Sequence, residues 1–303
     1  MKIMSKHLHK VTLSSLLFVG AVGVTSLAFA DPAINATITT DPALHAMLPP
    51  AIQSSGVIHV ATDAQHPPCD AMEDDNVTFT GWEEDVRQAL GKKLGVKMSP
   101  VSVNFDGLIP GVQSGRYDIA TQCISDTAER EKQVDFVDIS LSVNGIFALK
   151  SSKVTADPLS MCGLKSGAQS GTTFGDTVRT ELSPYCVAHG KAPIEEHDFA
   201  TEDATLLALL SGRVDFLVND ASSENYIAAH SNKPIEVVVP DILPKHSDGM
   251  VVKKGNDALS KALLAGMQAL VKDGSYKKIM EKWHLTAIMR TTPGINLESA
   301  STK

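Results

Sequence analysis

Aromatic side chains are scarce in this 303-residue sequence, in which Phe, Trp and Tyr together make 5%. Few flat rings leave few platforms for stacking the bases of a single-stranded nucleic acid. Positive charge is short as well: 27 Lys and Arg face 35 Asp and Glu, a formal net charge of -8. That balance argues against nucleic acid and anionic lipid surfaces as partners. Past residue 30, no apolar run approaches the roughly 20 residues that a membrane-spanning helix needs. Cysteine is sparse but present, with four in the chain, and its meaning depends on the compartment.

The first 30 residues carry Lys2, Lys6 and Lys10, an apolar run from Leu13 to Val24, and small residues at Ala28 and Ala30. This is the layout of a secretory signal peptide cleaved after Ala30. No cysteine follows the apolar run, so a soluble exported chain is expected rather than a lipid-anchored one. Cleavage leaves 24 basic against 35 acidic residues, a net charge of -11. In an oxidising space four cysteines are expected to pair. The remaining length suffices for one large core or two modest ones.

Residues 31–55, with two Asp-Pro pairs and Pro49-Pro50, read as an extension with one short helix. Beyond it the elements alternate. VIHVAT (57–62) reads as a buried strand, and residues 82–95 read as an amphipathic helix with Val86, Leu90 and Leu94 at four-residue spacing and Gly95 as its stop. Strand and helix keep alternating, the pattern of α/β layers with largely parallel sheets. LIPGVQSGRYDIAT (108–121) is echoed by LLALLSGRVDFLVN (206–219). Each is a helix ending in Ser-Gly-Arg, then one residue, Asp and an apolar strand. Gly115 and Gly212 are placed for left-handed helix caps, and the repetition predicts two similarly built lobes with a ligand crevice at their strand ends.

Three places on this frame carry chemistry. Asp126 with Glu129 matches a capping box, so a helix is expected to begin at Asp126 or Thr127. Its free N–H groups would attract an anion, and Arg130, one turn in, could fork a carboxylate; the plainer alternative is a surface Arg130 paired with Asp126. Thr172 or Thr173, after Gly171, caps a second helix or contacts a ligand. Asp220 caps a third helix or accepts an ammonium group.

In order, VATDAQHPPCDAM, FTGWEEDVRQALGKKLGV, FDGLIPGVQSGRYDIA, ISDTAEREKQVDFV, GAQSGTTFGDTV, LLSGRVDFLVND and DGSYKKIMEKWH resemble the periplasmic solute-binding proteins of polar-amino-acid ABC transporters. The resemblance runs from about Gly56 to His284. It implies a type II, two-lobed α/β fold whose lobes, joined by a two-segment hinge, close over an amino acid. Lobe 1 is expected at 56–149 and 248–290, lobe 2 at 150–247 and a tail at 291–303, with crossings near Leu149 to Lys153 and Pro244 to Gly249. Arg130 and the helix start at Ser125 would hold the α-carboxylate, Thr173 or Thr172 would assist, and Asp220 would take the α-ammonium. Asp63, Cys69, Gln122 and Cys123 complete the expected ligand-facing set. The implied partners are a small-molecule ligand, expected to be an amino acid, and a membrane permease. A monomer is expected, with no cofactor, metal or catalytic residue. A periplasmic enzyme on the same scaffold, similar to cyclohexadienyl dehydratase, and a ligand sensor are the alternatives.

A disulfide between Cys162 and Cys186, which bracket the first βα unit of lobe 2, is implied by similar pairs in relatives. Cys69 departs from the family, whose members carry Phe or Tyr after Pro-Pro, and Gln122 and Cys123 replace the usual small or hydroxyl residues. These departures touch the side-chain pocket rather than the clamp on the ligand's charged ends. Three readings of Cys69 and Cys123 stay open: a disulfide, two free thiols that soften the pocket, or capture of a soft metal such as copper(I) with His66 and Met72.

Overall fold

The computed structural model describes residues 36–230 and 232–301, and the expected signal segment at 1–30 lies outside the described residues. Among the described residues no helix is long and apolar enough to cross a membrane.

β1 (Val57–Thr62) is the second strand in from one edge of the first sheet. After it come a three-stranded ribbon, β2 (Gln65–His66), β3 (Asp70–Met72) and β4 (Phe79–Thr80), and then β5 (Lys97–Ser102) and β6 (Ile119–Ser125), which flank β1 in parallel. β7 (Val134–Leu149) is shared between the halves of the molecule. β8 (Lys165–Gln169), β9 (Glu195–Phe199), β10 (Phe216–Asp220) and β11 (Ile235–Val238) build the second sheet on it. β12 (Lys245–Lys253) and β13 (Met289–Ile295) return to the first.

The sheets are mixed rather than largely parallel, since β7 runs antiparallel to β10, β11, β12 and β13. β7 pairs with β12 over Val134 to Val143 and with β10 over Asn144 to Ala148. Partners thus change inside the strand, ahead of the crossing expected at Leu149 to Lys153. The physical reason is that β7 stays buried along most of its length, so one unbroken strand serves both sheets.

Helices cover both faces of each sheet, which is how a buried sheet hides its two apolar sides. Val86, Leu90 and Leu94 of the helix Trp82–Leu94 pack against Leu259, Leu263 and Met267 of the helix Asp257–Lys272. Ile146, Phe216 and Val218 form part of a core on one face of the second sheet, and Phe147, Leu209 and Leu217 part of one on the other. The echoed motif does the same work twice. Gly115 and Gly212 end their helices at φ 75° and 71°, and the aspartate three residues on accepts the amide of a neighbouring strand: Asp118 from His59 at 2.7 Å, Asp215 from Lys165 at 2.8 Å.

Two expectations change at the ends of the chain. Among its described residues the extension carries the short helices Pro42–His45 and Pro50–Ser55, more than the one expected, each opened by a proline whose missing N–H costs nothing in a first turn. Of the expected tail at 291–303, residues 291–299 are built into the fold: β13 pairs with β7, and the amides of Leu297, Glu298 and Ser299 donate to Asp138, Asp126 and Glu131. Three carboxylates satisfy the free amides that open this last helix.

Candidate functional site

β6 ends at Ser125 and turns into the helix Ala128–Glu131. Thr127 caps that helix by accepting the Arg130 amide at 3.2 Å. Asp126 therefore is not the cap; its carboxylate accepts from Glu298 instead. Arg130 is likewise not spent on Asp126. Its Nη1 donates to the Ser125 carbonyl at 2.7 Å, and its Nη2 reaches across to the Gly171 carbonyl at 2.9 Å in the second lobe. Burial lowers the Arg130 pKa, with Asp248 pulling the other way; a guanidinium starts so basic that it stays protonated all the same.

The second lobe supplies the facing wall. Thr172 caps the helix Thr173–Thr177, accepting the Phe174 amide at 3.3 Å and donating to the Gln169 carbonyl at 2.7 Å. Gly171 stands at φ 83°, where a Cβ would lie 2.9 Å from Asp106 Cα. Only glycine allows that close approach. His66 stacks on Phe174 with ring centroids 6.3 Å apart, and Gln169 Nε2 donates to Asp63 at 2.8 Å. The lobes thus meet through side chains from both, enclosing a cavity of about 20 Å³ whose walls include Arg130, Ser125, Gln122, Cys123, Thr172 and Thr173. That is room for little more than one water, so a larger ligand must enter with the lobes apart.

Not every expected residue lines this cavity. Asp63 lies one bond behind the wall; burial pushes its carboxyl up to about 6 against the hydrogen bonds of Gln169 and Gln65. Asp220 serves as a helix cap, its Oδ1 accepting from the amides of Ser222 and Ser223 at 2.9 and 3.1 Å and its Oδ2 from Ser142 at 3.1 Å. It faces a neighbouring cavity of about 640 Å³ with Pro68, Tyr226 and Trp283, and its charge still reaches His66 in the first. Gln122 turns its Oε1 to the Thr62 hydroxyl and to the amides of Asp63 and Ala64 at 2.5, 3.1 and 2.9 Å. It braces the loop more than it presents itself to a ligand.

The cysteines form two disulfides, Cys69–Cys123 and Cys162–Cys186. Of the three open readings for the first pair, the bonded one is seen, so neither sulfur is a thiol or a thiolate ligand. Cys69 is held from behind by Asp70, whose carboxylate takes both Arg87 terminal nitrogens at 2.6 and 2.9 Å. Arg87, buried on the helix Trp82–Leu94, also binds Glu84 at 2.6 Å. Two carboxylates offset the cost of that buried cation. Glu83, beside them, offers Oε1 to the Cys123 amide at 3.1 Å, and an oxygen of it lies within 4.8 Å of both cysteine sulfurs. Three sites in contact with this machinery escaped notice in the sequence. These are Phe105 and Phe174 in the cavity wall and Glu83 beside the disulfide; a lone phenylalanine carries no local sign of a site, and an acid in the first turn of a helix is ordinary at its positive end.

The sequence profile of the bacterial extracellular solute-binding proteins, family 3, matches residues 58–286. The arginine-binding protein ArgT of Corynebacterium glutamicum is 31% identical over 243 residues, spanning 80% of this chain and 79% of that one. The L-cystine-binding protein TcyJ of Escherichia coli is 25% identical over 237 residues, 77% of this chain and 84% of that one. Among solved structures, an ancestral arginine-binding protein bound to arginine is similar with a TM-score of 0.65 at 29% identity, covering 75% of this chain and 98% of that one. An ancestral amino acid-binding protein described as a precursor of cyclohexadienyl dehydratase is similar with a TM-score of 0.67 at 28% identity, covering 77% and 97%.

Proposed function

The chain belongs to family 3 of the bacterial extracellular solute-binding proteins, and from that membership we propose that it binds a free amino acid by lobe closure and delivers it to the permease of an ABC transporter. Arg130 carries the reading. Its guanidinium stands where the two lobes meet, bonded to one backbone carbonyl from each, and has further N–H groups for a carboxylate. In this reading the α-carboxylate takes Arg130 and the turn after Ser125, and Thr172 or Thr173 assists from the second lobe. Asp220 accepts the α-ammonium with the oxygen now turned to Ser142. Asp63, Gln122 and the disulfide at Cys69 and Cys123 shape the side-chain end. The lobes rotate about β7 near Val143 and about the start of β12. A ligand that touches both lobes favours the closed state because only there does it make all its contacts.

The chain acts as a monomer in the periplasm, exported by its first 30 residues, and by binding rather than catalysis. Relatives named for arginine and cystine binding support the binding role; the similar precursor of a dehydratase is itself described as an amino acid-binding protein. The test is a thermal-shift screen against amino acids and small carboxylates, after unfolding and refolding to strip carried-over ligand. A true ligand at 100 times its dissociation constant adds about 2.7 kcal/mol, roughly 5 to 10 °C in melting temperature at this size. No shift with any amino acid would overturn the reading.

A further inference from the structure

The two disulfides differ in what surrounds them. Cys123 is half-buried and forms part of the cavity wall beside Ser125 and Arg130. Cys69 is 1% exposed and sits within the core of the first lobe. The sulfurs are therefore unequal: a nucleophile entering the cleft meets Sγ of Cys123, and Sγ of Cys69 is the leaving group. A bare thiolate in apolar surroundings is a poor leaving group, because burial there disfavours the charged form. Glu83 answers that need. It is 1% exposed, has an oxygen within 4.8 Å of both sulfurs, and its Oε2 has no hydrogen-bond partner. Burial, with the charge of Asp70, pushes its carboxyl up to about 8 against the pull of Arg87; Asp248 and Tyr276 are the other titratable groups that feel it. Near neutral pH it holds a proton beside the disulfide.

We propose that a thiol-bearing amino acid held in this cleft is captured covalently, as a mixed disulfide at Cys123. This rests on the amino-acid reading of the cleft. The ligand's thiolate bonds to Sγ of Cys123 as the Sγ–Sγ bond breaks. The electron pair of the broken bond goes to Sγ of Cys69, which takes the Glu83 proton, and the proton lost by the ligand thiol returns to Glu83 through solvent. One ligand thiol and one protein disulfide become one mixed disulfide and one Cys69 thiol, with no outside oxidant or reductant. Release is the reverse step: the Cys69 thiolate attacks Sγ of Cys123 and expels the ligand intact. The Arg130 clamp supplies selectivity, since a thiol lacking a carboxylate is not held against the sulfur.

The experiment uses the full exported chain with both disulfides formed, stripped of ligand, and exposed to equal concentrations of L-cysteine or 2-mercaptoethanol. Acid-quenched intact mass and non-reducing peptide maps follow the products. One cysteine should be added at Cys123, with a single alkylatable thiol at Cys69, and at least about tenfold faster than the 2-mercaptoethanol adduct because the ligand is held in place. Glu83→Gln, checked for fold by circular dichroism, should slow the adduct about a hundredfold if the carboxyl supplies the proton. No adduct, equal rates for the two thiols, an adduct at Cys162 or Cys186, or plain reduction of Cys69–Cys123 would each overturn the proposal. Calorimetry with L-serine and L-arginine, which cannot form a disulfide, separates the two readings: heat with either while L-cysteine gives no adduct overturns covalent capture alone, and no heat with either, together with no thermal shift in the amino-acid screen, overturns the amino-acid reading as well.

Discussion

Arg130 bears the most at the scale of single residues, because it is a cation at the lobe boundary whose bonds in the closed chain go to two backbone carbonyls. Arg130→Ala should weaken amino-acid binding by about 3 kcal/mol or more, over a hundredfold, since truncating one side of a buried charge pair has that effect. Calorimetry measures the loss, and an unchanged circular dichroism spectrum would show that the fold survives. Glu83 makes a second prediction, about pH. The folded chain raises its carboxyl from 4.5 to about 8, so folding binds a proton more tightly than the unfolded chain does. Its contribution to stability is complete below the unfolded value and is lost as pH rises through the folded one. Glu83→Gln should therefore flatten the fall in urea midpoint between about pH 5 and about pH 8; an unchanged slope would show that the carboxyl is ionised throughout.

Elements decide how closely the lobes meet. The loop before the helix Thr173–Thr177 passes Asp106 so tightly that a Cβ on Gly171 would meet Asp106 Cα at 2.9 Å. Gly171→Ala should hold the lobes apart and cost about 1 to 3 kcal/mol, the usual cost of overpacking. The signature is weaker ligand affinity with a larger radius of gyration in the presence of ligand. The segment behind that loop is a second case. Thr173–Thr177 continues through a wider turn at Val178–Leu182 into Ser183–Ala188, with Pro184 as the cause, since it has no amide for the regular ladder. Cys186 on its last turn ties back to Cys162 across a separation of 24 residues. Replacing both cysteines by serine should cost about 2 to 4 kcal/mol in urea unfolding, with binding of the amino acid retained.

At the scale of the whole molecule, one strand and its partner hold the lobes together. β7 pairs with β12 in the first sheet and with β10 and β11 in the second, so a rotation near Val143 can part the two walls without breaking either core. Ligand should shrink the radius of gyration in small-angle scattering, and Arg130→Ala should abolish that change along with binding. Much of this plan was legible beforehand. The doubled Ser-Gly-Arg motif foretold two lobes, because a left-handed glycine cap and an aspartate three residues later are short-range demands. Gln169 and Phe174 were not legible as cavity walls, because their role depends on how far the second lobe swings toward the first.

The sequence by itself determined most of the elements and the paired lobes, because periodicity, caps and turn residues act within a few positions along the chain. Its net charge also argued against a polyanion such as nucleic acid as partner. Tertiary structure alone decided which cysteines bond, since Cys69 and Cys123 come together only when the loop after β1 folds against the end of β6. It alone turned Glu83 from a surface acid into a buried carboxyl beside a disulfide, because burial is a property of what packs around a residue, and no local pattern records that.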